Sequence, residues 1–119
     1  MSGAPLAVPH PLPAPLVELI ARRFRVLGEP MRIRLLDALR DAPLTVGALQ
    51  EATGASQQNV SKHLGVLHDA GLVRREKAGT SVRYEIADAS VFALCEHVCG
   101  GLRRHLDELD ALLPDGATR

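Results

Sequence analysis

Residues 56–86, "SQQNVSKHLGVLHDAGLVRREKAGTSVRYEI", decide how the rest of the chain is read. Ser56 is a good helix cap, and Val60, Leu64 and Leu67 recur three and four residues apart as one apolar stripe. That leaves Gln57, Gln58, Ser61, Lys62 and His63 mostly on other faces, with Asn59 at the boundary. Gly71 is placed to end the helix in a left-handed conformation. After it, "LVRREKAGTSVRYEI" reads as two strands, Leu72 to Lys77 and Val82 to Ile86, around the turn "AGTS".

Working outward, Thr45 caps a short helix through Val46, Leu49 and Ala52 that Gly54 closes. Before it, Pro30 opens a helix carrying Ile33, Leu35, Leu36 and Leu39, which "DAP" ends. A first helix starts at Pro15, with Leu16, Leu19, Ile20, Arg23, Phe24 and Leu27 at helical spacing up to Gly28. A last long helix starts at Asp88 or Ser90. Its apolar positions Val91, Leu94, Cys95, Val98, Leu102, Leu106, Leu109 and Leu113 run to the break at Pro114. Glycines 100 and 101 inside it cost about 1 kcal/mol each relative to alanine, which suggests close approach of a partner helix or a bend. The expected class is mainly α with a small β-hairpin, in the order α-α-α-α-β-β-α of a winged helix-turn-helix. Residues 1–14 read as a disordered Pro/Ala-rich arm, 15–113 as the folded domain and 114–119 as a flexible tail.

At 119 residues the chain suits one domain, small enough for a partner subunit to help it bury surface. Fourteen basic and fourteen acidic side chains give zero formal net charge, but the distribution is uneven. Residues 56–86 hold Lys62, Arg74, Arg75, Lys77 and Arg83 against Asp69, Glu76 and Glu85. Acids outnumber bases beyond residue 87, so a field of one sign faces a polyanion even though the sum is zero. No apolar run reaches the roughly 20 residues of a membrane span. The start "MSGAPLAVPHPLPAP" has no basic region of the secretory kind and carries five prolines. Two cysteines in one helix make no secreted-type disulfide framework. The expectation is a soluble cytoplasmic protein with no membrane partner.

A polar-faced helix fits the major groove, where glutamine, asparagine and lysine reach base edges or phosphates. A hairpin bearing Arg74, Arg75, Lys77 and Arg83 can lie along the adjacent backbone. Together with "VLGEPMRIRLLDAL" at 26–39, the opening stretch strongly resembles the ArsR/SmtB family of bacterial repressors over residues 17 to about 112. The resemblance implies a homodimer with one winged helix-turn-helix per subunit, terminal helices at the dimer interface and release from operator DNA when an inducer binds. Carried over residue by residue, Gln57, Gln58 and Asn59 are the base-contact candidates, and Ser56, Ser61 and Lys62 the phosphate contacts. His63 and the hairpin cations complete the DNA-facing set.

The chain departs from most of the inducer sites that the family is understood to use. The arsenic-type site needs cysteines around the recognition unit, and Thr45 to His63 has none. In the zinc-type site Asp88 matches, but Ser90, Gly101 and Arg104 replace the other ligands. A persulfide-type pair needs a cysteine in "MRIRLLDALRD", which has none. Cys95 and Cys99 remain. One turn apart, their Cβ atoms stand roughly 5 to 6 Å from each other, beyond the roughly 3.5 to 4.5 Å of a disulfide. Three readings stay open for them: apolar interface packing, thiol redox sensing, and ligation of a soft metal. A second donor set, His10, Asp88, His105 and Glu108 completed by a partner subunit, has the N/O chemistry of nickel or zinc, while the thiols extend the range to copper. Two rival functions are weighed: a winged-helix module that binds only protein and senses no inducer, and a small Cys/His enzyme. An enzyme needs a base aimed at a thiolate, yet His97 projects away from Cys95, so no enzyme is expected.

Overall fold

The computed structural model describes residues 7–113. The chain divides into two compact units, residues 1–87 and 88–119. The expected tail at 114–119 and the first six residues of the expected arm lie outside the described residues.

Unit one contains α1 (Ala14–Leu27), α2 (Pro30–Ala38), β1 (Leu44–Thr45), α3 (Val46–Thr53), α4 (Gln57–Asp69), β2 (Val73–Ala78) and β3 (Ser81–Ile86). Each helix boundary has a local cause. Pro30 occupies the first turn of α2, and the Glu29 carboxylate caps it by accepting from the Met31 and Arg32 amides at 2.6 and 3.2 Å. Thr45 Oγ1 accepts from the Ala48 amide, and Ser56 Oγ from that of Asn59. Gly54 and Gly71 stand at φ 74° and 78°, the left-handed conformation expected of them.

The core is aliphatic. Leu35, Leu36 and Leu39 of the α2 segment, Leu49 of α3, and Val60, Leu64 and Leu67 of α4 are all buried, and Leu72, Val73 and Tyr84 close it from the sheet side. Three expected core positions are instead open: Ile33 is 46% exposed, Leu19 57% and Phe24 55%. No residue of α1 is buried: Leu16, Ile20 and Leu27 of its apolar stripe are half-buried, and Leu19 and Phe24 are exposed.

The sheet has three antiparallel strands in the order β1-β3-β2, one more than the hairpin read from the sequence. Leu44 pairs with Tyr84 and Thr45 with Arg83. Two residues are too few to show an alternating pattern, so β1 is defined only by its partner. β2 and β3 pair from Val73–Ile86 to Ala78–Ser81. The turn between them is therefore only Gly79 and Thr80, with Gly79 at φ 67°.

Unit two is α5 (Ser90–Leu112), a helix of 23 residues. Asp88 Oδ1 accepts from the Ser90 amide at 3.0 Å and from its hydroxyl at 2.5 Å, which starts the helix. The helix runs unbroken through Gly100 and Gly101, beside which the Arg104 guanidinium lies. Of the apolar positions expected to form its stripe, Val91 is buried, whereas Val98, Leu102, Leu106, Leu109 and Leu113 are exposed.

Candidate nucleic-acid interface

α3 and α4 are joined by three residues whose geometry is locally fixed. Thr53 Oγ1 donates to the Leu49 carbonyl at 2.8 Å and accepts from the Ala55 amide at 3.3 Å. Gly54 reverses the chain, and Ser56 caps the new helix. α4 then buries Val60, Leu64 and Leu67 against α2, α3 and β2. Its opposite side presents Gln57, Gln58, Ser61 and Lys62 to solvent, with Asn59 half-buried. No acidic side chain interrupts that surface before Asp69, at the last turn.

His63 does not belong to this surface. It is 6% exposed and turned toward α2. Its Nδ1 lies 3.1 Å from an Arg32 guanidinium nitrogen, and its Nε2 faces the Glu29 carboxylate at 3.9 Å. The expected DNA contact is thus corrected to an interior polar residue. The helical period allows it, since His63 stands three residues after Val60 and four before Leu67, at the edge of the buried stripe.

Strand register divides the four cations of the hairpin. Arg74 stands opposite Glu85 and Arg83 opposite Glu76, all on one face, and Arg74 Nε donates to Glu85 Oε2 at 2.7 Å. Arg75 and Lys77 alternate onto the other face and are exposed. Among the described residues Lys62, Arg75, Lys77 and Arg83 have no acidic partner within ion-pair distance. Arg74 is instead paired with Glu85.

His10, His105 and Glu108 are exposed, and the Asp88 carboxylate serves the start of α5. Among the described residues, no three His, Cys, Asp or Glu side chains are grouped to hold a metal ion. Cys95 and Cys99 are free thiols, both exposed on α5.

A helix-turn-helix domain matches residues 27–76. Over 104 residues, 82% of this chain and 80% of the relative, the sequence is 35% identical to the HTH-type transcriptional regulator KmtR of Mycobacterium tuberculosis (strain ATCC 25618 / H37Rv). The chain belongs to the ArsR/SmtB family. Its fold agrees with solved winged helix-turn-helix structures. The crystal structure of M. tuberculosis Rv0081 is 34% identical with a TM-score of 0.71, covering 81% of this chain and 97% of that one. The solution structure of the homodimeric winged helix-turn-helix DNA-binding domain Mb0332 from Mycobacterium bovis, a possible ArsR-family regulator, is 32% identical with a TM-score of 0.68, covering 80% and 88%. As a member of the ArsR/SmtB family the protein is a transcriptional regulator and not an enzyme. Among its described residues no helix is long and apolar enough to cross a membrane.

The interior cluster adds two residues outside the expected DNA-facing set, Glu29 and Arg32. The motif "EPMR" contained the signal: an acid directly before a first-turn proline is a cap, and an arginine in that first turn, facing a helical histidine, needs a partner.

Proposed function

We propose that the protein is a cytoplasmic homodimeric repressor that sets α4 into the major groove of a palindromic operator. Gln57, Gln58 and Asn59 read base edges, Ser56, Ser61 and Lys62 hold phosphates, and Arg75, Lys77 and Arg83 grip the neighbouring backbone. The observation that carries this reading is the outward face of α4, which is polar, free of acid over its first three turns and accompanied by the hairpin cations Arg75, Lys77 and Arg83, which have no acidic partner among the described residues. The uncovered apolar residues of α1 and of α5 support pairing with a second copy, as does the homodimeric relative Mb0332. Two recognition helices related by a two-fold axis read half-sites one turn, roughly 34 Å, apart.

The inducer class that fits the chain's own residues is one that acts on thiols, an oxidant or a soft metal ion shared between subunits. Cys95 and Cys99 are exposed within a helix whose apolar face is uncovered. The test is operator affinity by fluorescence anisotropy for reduced protein, oxidised protein, and protein with Ni(II), Zn(II) or Cu(I), repeated with C95S and C99S. A selective loss of affinity that the serine variants abolish is expected. An affinity that no treatment moves assigns the cysteines to interface packing, and failure to bind any duplex at low salt overturns the DNA reading in favour of a protein-binding module.

A further inference from the structure

We propose that His63 is a positioning residue for operator recognition, locking α4 to the end of α1 through the Arg32 guanidinium; this rests on the reading that α4 carries the base contacts. A guanidinium only donates hydrogen bonds, so His63 Nδ1 accepts from Arg32 and the ring hydrogen sits on Nε2, the nitrogen that faces Glu29. The same guanidinium donates through Nε to the Val26 carbonyl at 2.6 Å and through its second terminal nitrogen to the Arg25 carbonyl at 3.3 Å. Both carbonyls belong to the last turn of α1, where intrahelical donors have run out. One planar group thus caps α1 and holds α4. A second tie runs in parallel, since Arg23 of α1 donates to the Ala70 carbonyl just beyond α4.

The two ties meet α4 at its middle and at its C-terminal end, two turns apart, on the side away from Gln58 and Lys62. Aliphatic packing by Val60, Leu64 and Leu67 keeps α4 attached but is non-directional. Directional bonds at His63 fix its rotation about and along its axis, which is what base-edge contacts demand and phosphate contacts largely do not. α1 also carries exposed apolar residues, Val17, Leu19 and Phe24, so the orientation set by a second copy there reaches the recognition helix through this joint.

The test uses a duplex selected by the wild-type protein from a random pool and a scrambled duplex of equal length. Asparagine at 63 places its Oδ1 where Nδ1 accepts from Arg32, whereas glutamine places its amide one atom further out. H63L and H63Q are expected to lose about tenfold of affinity for the selected duplex, the scale of a hydrogen bond to a charged group, with scrambled-duplex binding within about twofold of wild type. H63N is expected to restore the preference. If H63L does not fold by thermal melting, the contrast between H63N and H63Q decides alone. Equal preference in all variants overturns the joint. A wild type that prefers no duplex overturns the recognition reading itself, a separate result.

Discussion

Gly65 follows Ser61 and Lys62 by one turn on the outward side of α4, and nothing lies within 4 Å of where its Cβ would stand. Alanine there is expected to raise stability by up to about 1 kcal/mol, the helix-propensity difference, as measured by urea unfolding. The same change at Gly71 is expected to act in the opposite direction despite equally open surroundings, because its φ of 78° penalises any Cβ. At Glu29, desolvation raises the carboxyl pKa, but the amide hydrogens of Arg32 and Met31, aided by the nearby Arg32 charge, together hold it below the ordinary glutamate value. A depressed folded-state pKa contributes stability that is present above the unfolded value, near pH 4.3, and is lost as pH falls through the lower folded one. Thermal melts across the acid limb should therefore show wild type losing stability in that window, and E29Q, which has no carboxyl to titrate, a shallower loss.

For the elements, the hairpin register makes the prediction. Arg75 and Lys77 have no acidic partner among the described residues, so changing both to alanine should weaken binding to every duplex and lower the salt slope by about two. R74A removes a cation already neutralised by Glu85 and should change the slope by less than one phosphate contact, about 0.9. An equal effect of Arg74 would show that its ion pair opens on DNA. This division follows from which strand residues share a face, and one residue of slip would have exchanged the two sets.

For the whole molecule, the exposed leucines of α5 are the decisive feature. Leu102 and Leu106 are each 59% exposed, which is costly for a stripe of this length unless another chain covers it. L102E with L106E is expected to give a monomer by light scattering and to abolish tight operator binding, since each half-site alone contributes only part of the affinity. A dimer that survives would place the interface elsewhere.

The sequence by itself determined the local events, and for a physical reason: caps, glycine stops and apolar periods act within a turn or two of chain. Thr45, Ser56, Gly54, Gly71 and the stripe Val60, Leu64, Leu67 all stand as their neighbours dictate. Family motifs carried the helix-turn-helix and the hairpin for the same reason, being short and contiguous. Tertiary structure decided what depends on partners distant in sequence. β1 exists only because β3 pairs with it, Arg74 and Arg75 differ only through the opposing strand, and Ile33 and Phe24 are apolar without being core. His63 is the clearest case. Its helical phase placed it on the edge of the buried stripe, but whether a histidine there faces DNA or the interior was settled by Arg32, 31 residues away, which offers the hydrogen bond that makes its burial tolerable.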